Sequence, residues 1–207
     1  MTAKNMMKKS QYFVLSNDSE ESVSDRKDSS ILTPTSNEIY FYDDVTRQSI
    51  FNLNKQISDV SKTLSILQNQ YNLSTNPTIN LYVSSDGGEV FPALSSVDRI
   101  KNCKIPVDTY VEGLVASAAT LISVVGRRRY ISKNAFLLIH EVRSEFWGNF
   151  SEFQDENKNM ELLMRCIKKI YLEHTKLKEN ELSDILKHDI YLDANEALKY
   201  GLVDEII

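Results

Sequence analysis

Short apolar segments typical of buried strands alternate along this chain with segments that have the periodicity of amphipathic helices. The clearest helical segment covers residues 48–71, in which apolar residues recur at spacings of three and four. Strand-like segments lie on either side of it, at 38–42 and 78–84. Because strands that alternate with helices pair in parallel through right-handed crossovers, the sequence predicts an α/β fold with a mostly parallel sheet.

The same alternation continues towards the end of the chain. Further strands are predicted over 107–111, 129–131 and 135–139. Further helices are predicted over 89–101, over the small residues after Gly113, over roughly 151–175, and after the capping-box sequence Asp193-Ala-Asn-Glu196. The helix at 151–175 carries an apolar stripe that either core packing or a contact between subunits would explain.

Residues 1–37 differ in composition from the rest of the chain. The segment 16–36 is crowded with Ser, Asp, Glu and Asn, and it has neither helical nor strand periodicity. We therefore predict a mobile or processed N-terminal segment over 1–37 and a single folded domain over 38–207, a size that suits one well-formed core. The apolar patch at 11–15 is an exception within the N-terminal segment, and it could dock on a partner or on the domain.

Charge and cysteine content exclude several classes of function. The net charge of −5 leaves no basic excess for binding nucleic acid. Two cysteines cannot form a disulfide framework, and they fit a reduced, cytoplasmic setting. No stretch reaches the roughly 18 apolar residues that span a bilayer, and no secretory signal is recognisable, so we expect a cytoplasmic protein without membrane contact.

Three features that suit acyl transfer follow strands of the predicted sheet. The glycine pair Gly87-Gly88 follows one strand, Ser117 lies in the small-residue segment after another, and His140 directly follows a third. Each has an ordinary structural explanation on its own: a tight turn, close packing, and a histidine with satisfied hydrogen bonds. Because the carboxyl ends of parallel strands meet at one edge of a sheet, their combination favours an oxyanion hole, a nucleophile and a base.

Four segments in this order resemble the ClpP family, the proteolytic subunits of Clp proteases. They are INLYVSSDGG at 79–88, GLVAS at 113–117, LIH at 138–140 and EALKYGLVD at 196–204. The resemblance extends from about residue 38 to residue 207. It implies an α/β fold of the ClpP and crotonase type, with a core of repeated ββα units and a protruding handle helix that corresponds here to 151–175.

The resemblance also implies a role for each site residue. Ser117 corresponds to the nucleophile, His140 to the general base and then general acid, and Asp189 to the carboxylate that orients the imidazole. Together these three residues would form a catalytic triad. The backbone N–H groups of Gly88 and Ala118 correspond to the family's oxyanion hole.

Two further carboxylates, Asp184 and Asp193, are alternatives for the third position of the triad. Asp189 is preferred because it lies at the family's distance before the landmarks Glu196-Ala197 and Tyr200-Gly201. Asp193 is better suited to cap the helix that follows it.

An assembly and partners are implied as well. Heptameric rings would stack in pairs around a closed chamber, and an AAA+ unfoldase would thread unfolded polypeptides into it. ATP would be used only by that ATPase, since this chain has no Walker-type phosphate loop, and no cofactor or metal is expected. The expected function is therefore that of a Clp-type serine endopeptidase that degrades unfolded polypeptides.

Two other functions stay open at this point. One is a virus-encoded maturation protease of the same fold that acts without an unfoldase. A phage origin would place the protein in a host cytoplasm, and a plastid or another organelle is a further location. The other function is that of a non-catalytic subunit in a mixed ring, although such subunits lack triad positions that this chain has.

The sequence departs from the ClpP pattern at several positions. Asp86 replaces the proline before the glycine pair, Ala118 replaces a methionine, and Glu141-Val142 replace Gln-Pro. His188 stands where the family usually has an arginine that pairs across the interface between rings.

We predict that the exchange at His188 makes ring stacking weaker or more pH-sensitive than in relatives with arginine, because a histidine changes its charge near neutral pH and an arginine does not. Sedimentation velocity between about pH 6 and about pH 8 measures the proportion of double rings, which we expect to change over this range. A double ring of unchanged size and stability throughout would contradict the prediction.

Overall fold

The structure is a computed structural model and describes residues 36–71 and 76–207. Apart from Ser36 and Asn37, the N-terminal segment 1–37 lies outside the described residues, and so does the apolar patch at 11–15. The expectations of a mobile or processed segment and of a domain that starts at residue 38 therefore stay predictions.

A parallel sheet forms the central layer of the domain. Within the described residues, neighbouring strands follow the order β1 (Glu38–Phe41), β2 (Ile79–Ser85), β3 (Val107–Ala116), β4 (Arg129–Ile131) and β6 (Glu205–Ile206). A further strand, β5 (Phe136–Leu138), pairs in parallel with the end of β3. The predicted α/β fold with a parallel sheet is confirmed.

Helices connect the strands and cover the sheet. In the described part of the chain they are α1 (Arg47–Tyr71), α2 (Val90–Lys101), α3 (Ala118–Val124), α4 (Phe150–His174), α5 (Glu179–Leu186) and α6 (Ala194–Tyr200). The sequence did not predict α5, because a two-turn helix that buries only Leu182 and Leu186 has no extended periodicity. No described helix combines the length and the apolar character needed to cross a membrane.

The apolar face of the sheet and the stripe of α1 belong to one core. Alternate residues of β2, namely Ile79, Leu81 and Val83, have no exposed surface, as expected for a strand with one buried face. The predicted stripe of α1 is buried from Ile50 to Val60 and is only partly buried beyond that point. The helical periodicity therefore correctly predicted which face of α1 packs on the core.

A ladder of stacked tyrosines runs across the sheet on residues that the core does not bury. Tyr40, Tyr82, Tyr110 and Tyr130 are paired in register from β1 to β4, and neighbouring ring centroids lie 4.8, 4.6 and 4.7 Å apart. Stacked aromatic pairs each contribute about 0.5–1.5 kcal/mol beyond the burial of their area. The ladder was not predicted, because it depends on the register between strands.

Strand β3 is longer than predicted. The sequence places its end at Val111 and a small-residue helix after Gly113, but the strand continues to Ala116 and α3 begins only at Ala118. The cause is β5, which pairs with residues 114–116 of β3, so that contacts between strands override the local helical tendency of small residues. The junction between strand and helix therefore falls at position 117.

Helix α4 corresponds to the expected handle. Its second half packs on the core through Ile167, Ile170 and Tyr171. Its first half has exposed aromatic side chains, with Phe150 77% and Phe153 52% accessible to solvent. Core packing therefore explains only the second half of the apolar stripe on this helix.

Candidate active site

Ser117 occupies a strained turn between β3 and α3. Its φ of 53° makes it the only described residue other than glycine with a positive φ. Such a conformation costs about 1–3 kcal/mol and persists only where the neighbouring structure holds it. A serine at a sharp strand-to-helix turn presents its hydroxyl at the carboxyl edge of the sheet, which is the position of a nucleophile in many hydrolases.

Hydrogen bonds on both sides hold this turn. The N–H of Ser117 donates to the carbonyl oxygen of Leu138 at the end of β5, at 2.8 Å. The carbonyl oxygen of Ser117 accepts from the N–H of Thr120 at 3.0 Å and from its hydroxyl at 2.5 Å. The Thr120 hydroxyl lies 2.5 Å from that of Tyr171. The single hydrogen of the Thr120 hydroxyl goes to the Ser117 carbonyl oxygen, so Tyr171 is the donor in this contact. Burial raises the pKa of Tyr171, which keeps this donor protonated.

The glycine pair brings the end of β2 against the serine turn. Gly87 has a φ of 97°, and a Cβ atom on it would lie 2.6 Å from the carbonyl oxygen of Ala116 and 2.7 Å from the Cβ of Ser117. Gly88 has a φ of 141°, and a Cβ there would lie 2.4 Å from the carbonyl oxygen of Val45. Only glycine fits these two backbone positions.

The predicted oxyanion donors lie beside Ser117. Gly88 and Ala118 line the same cavity as Ser117. No described residue accepts a hydrogen bond from the N–H of Gly88. Ala118 is the first residue of α3, so its N–H lies outside the helical hydrogen-bond ladder. An oxyanion hole needs N–H groups beside the nucleophile that have no other acceptor, and these two N–H groups are the candidates for that role.

His140 shares the cavity with Ser117, but no hydrogen bond joins their side chains among those of the described residues. The Nδ1 atom of His140 lies 2.6 Å from the carbonyl oxygen of Glu141. Because a carbonyl oxygen can only accept, Nδ1 carries the hydrogen in this contact. A neutral ring then has an unprotonated Nε2, which is the form that a general base needs.

Among the hydrogen bonds of the described residues, none joins the side chains of Asp189 and His140. The Asp189 carboxylate forms an ion pair with the guanidinium of Arg143, and both side chains are partly exposed. The two alternative carboxylates have other contacts: Asp184 pairs with the Lys187 ammonium at 3.4 Å, and Asp193 caps α6. The structure thus brings four of the five predicted site residues to one cavity and leaves the carboxylate apart.

The cavity has a volume of about 110 Å³, which is the size of one side chain. Its apolar walls come from Val90, Leu121, Val142 and Ile167. The sequence did not identify these lining residues, because they belong to four segments that only the fold brings together. Their chemistry suits an apolar side chain or a section of polypeptide beside the serine hydroxyl.

The departures from the ClpP pattern fall into two groups. Ala118, Glu141 and Val142 line the cavity, so they directly affect what it can hold. Asp86 and His188 are exposed and do not line it. Any effect of these two residues on the serine turn must therefore be indirect.

We predict that Gly87→Ala lowers the free energy of unfolding by at least about 1–3 kcal/mol, because the added methyl group would overlap backbone and Cβ atoms at the serine turn. Gly148→Ala is the matched control, since the atoms nearest to its methyl group belong to the movable side chains of Phe146 and Glu152. Denaturant unfolding of the two variants measures the difference. A Gly87→Ala protein as stable as the control would contradict the packing described here.

Comparisons with known proteins show the family of this chain. A sequence model of the Clp protease family matches residues 35–207. An ATP-dependent Clp protease proteolytic subunit from Deinococcus radiodurans is 31% identical over 138 residues, which is 65% of this chain and 68% of the relative. The ATP-dependent Clp protease proteolytic subunit 2 from Treponema denticola is 33% identical over 166 residues, which is 78% of this chain and 82% of the relative.

A solved structure of a ClpP1 mutant from Listeria monocytogenes has a TM-score of 0.67 and 26% sequence identity to this chain. The match covers 83% of this chain and 91% of that one. The chain therefore belongs to the Clp protease family and is a Clp-type serine peptidase, a hydrolase of peptide bonds.

Proposed function

We propose that Ser117 is the nucleophile of this peptidase and that His140 is its general base, with the N–H groups of Gly88 and Ala118 as oxyanion donors. The observation that carries this assignment is the strained turn at Ser117, which opens into a cavity shared with the other three residues. Strain of this kind is retained at functional sites more often than at structural junctions. Asp189 acts through His140 as the residue that positions the imidazole.

In the proposed mechanism, the Ser117 oxygen attacks the carbonyl carbon of a peptide bond while Nε2 of His140 takes the serine proton. The N–H groups of Gly88 and Ala118 donate to the oxygen that becomes negative. His140 then gives the proton to the leaving amine as the peptide bond breaks. In the second half of the reaction His140 takes a proton from a water molecule whose oxygen attacks the acyl-enzyme, and it returns that proton to the Ser117 oxygen as the ester bond breaks. A positioned base contributes roughly 10²–10⁴ in rate, and each oxyanion donor on the order of 10²–10³.

The proposed substrates are unfolded polypeptides. A cavity of about 110 Å³ admits a single side chain, and its narrowness favours an extended chain over the surface of a folded domain. Two curated relatives are named as ATP-dependent proteolytic subunits. We propose by analogy that an AAA+ unfoldase uses the ATP and feeds this chain, which itself needs no cofactor, and that both act in the cytoplasm.

The proposed assembly is a homo-oligomer of heptameric rings stacked in pairs. Support comes from the exposed aromatic surface at the start of α4, which comprises Phe146, Trp147, Phe150 and Phe153. Trp147 is 98% accessible to solvent, an unusual exposure for an indole in a single subunit. Exposed apolar surface of this kind indicates a protein contact, and the handle of one ring against another would provide it.

A non-catalytic ring subunit is the second candidate function. The observation that favours it is the ion pair between Asp189 and Arg143, which leaves His140 without the carboxylate that would orient it. The peptidase remains the preferred proposal, because a non-catalytic subunit would have no use for the strained serine and the two N–H donors.

Labelling with a fluorophosphonate tests the assignment of the nucleophile. We expect covalent labelling of the wild type and of Ser144→Ala, which removes an exposed hydroxyl in the neighbouring segment, and no labelling of Ser117→Ala. His140→Gln is expected to slow labelling by about 10²–10⁴. Labelling that survives Ser117→Ala would overturn the assignment, and an assembled wild type that is never labelled would favour the non-catalytic subunit.

The fluorescence of Trp147, the only tryptophan in the sequence, tests the contact through α4. We expect its emission to shift to shorter wavelength when the protein is concentrated, because assembly would transfer the exposed indole out of water. Trp147→Ala is expected to move the sedimentation profile towards smaller species, whereas Tyr71→Ala, at another exposed aromatic position, on α1, serves as the unchanged control. An emission maximum that stays constant while the protein assembles would contradict this role of α4.

A further inference from the structure

We propose that Arg143 is an inhibitory latch, which holds the carboxylate of Asp189 away from His140 and keeps the peptidase in a state of low activity. The inference rests on the proposed roles of Ser117, His140 and Asp189. It adds a residue to which the sequence assigned no function, together with a contact that must break before the site reaches full activity.

Two neighbouring chain segments, one after His140 and one after α5, bring Arg143 and Asp189 together. The N–H of Glu141 donates to the carbonyl oxygen of Leu186 at 2.9 Å, so the segment after His140 runs beside the segment that ends α5. Arg143 therefore lies opposite Asp189, although 46 positions separate the two residues in the sequence. Among the described residues, Asp189 is the only acceptor of the Arg143 guanidinium.

The latch prevents a hydrogen bond between His140 and Asp189, as the present contact of the imidazole shows. Its Nδ1 atom has a single hydrogen to donate, and that hydrogen goes to the carbonyl oxygen of Glu141 at 2.6 Å. The contact with Glu141 and a contact with Asp189 therefore exclude one another. A neutral carbonyl stabilises the imidazolium formed during catalysis less than a carboxylate does, so the ring is held in its less effective arrangement.

The exposure of the ion pair makes it a reversible latch. In the single subunit, the side chains of Arg143 and Asp189 are 69% and 50% accessible to solvent, so water and salt screen their attraction. Exposed pairs of this kind shift an equilibrium by about fivefold or less. Forms with Asp189 bound to Arg143 and with Asp189 free are therefore both populated. A modest change in the surroundings of Arg143 is enough to shift the equilibrium between them.

The first test is the rate at which a fluorophosphonate labels Ser117. We expect Arg143→Gln to raise this rate about two- to fivefold, because the loss of the cation releases Asp189. Arg143→Lys keeps the charge and is expected to stay close to the wild type. Lys187→Gln, which breaks the neighbouring exposed pair with Asp184, is the matched control and is expected to leave the rate unchanged.

A double variant separates the latch from a simple enlargement of the cavity, which Arg143 also lines. In an Asp189→Asn background there is no carboxylate for Arg143 to hold away from His140. The addition of Arg143→Gln is therefore expected to give no increase in labelling rate. An increase that persists in this background would overturn the proposal, and so would a decrease caused by Arg143→Gln alone.

The dependence of the labelling rate on ionic strength is an independent test, because a purely structural role of Arg143 would not make this rate depend on salt. Between about 0.05 M and about 0.5 M salt, the labelling rate of the wild type is expected to rise, and that of Arg143→Gln to stay level. Equal salt dependence of the two proteins would count against the latch. Failure of the catalytic assignment itself would look different, since labelling would then be absent or would survive Ser117→Ala.

Discussion

The close contact between Gly87 and the turn at Ser117 determines the geometry of the whole site. Without a side chain at Gly87, the end of β2 reaches the backbone of Ala116 and the Cβ of Ser117, and the next residue, Gly88, then lines the cavity. On the other side, the bond from the Ser117 N–H to the Leu138 carbonyl fixes the end of β5. Two backbone contacts thus position the serine, the histidine strand and the proposed oxyanion donors.

The alternation of strands and helices predicted much of this arrangement from the sequence alone. Parallel strands must end at one edge of the sheet, and this topology by itself predicts that Gly88, Ser117 and His140 meet there. The resemblance to ClpP assigned roles to them and added Ala118. The placement of these residues around one cavity was predicted correctly, because it depends on local patterns and on the general topology of parallel sheets. Their roles stay proposals.

Contacts between distant segments are what the sequence did not reveal. The continuation of β3 to Ala116 depends on pairing with β5, and the tyrosine ladder depends on the register of β1 to β4. The ion pair of Arg143 with Asp189 is the same kind of feature, since nothing near either residue indicates the other. The sequence could therefore propose Asp189 as the third member of the triad, but not the side chain with which it pairs.

A crystal structure of the protein with a phosphonate bound covalently to Ser117 would test the proposed site most directly. We expect a phosphonyl oxygen about 2.7–3.1 Å from the N–H groups of both Gly88 and Ala118. We also expect that Nδ1 of His140 has moved from the Glu141 carbonyl to the carboxylate of Asp189, which Arg143 has released. An adduct whose oxygen points away from the two N–H groups, or a histidine still bound to Glu141 in the adduct, would contradict the proposal.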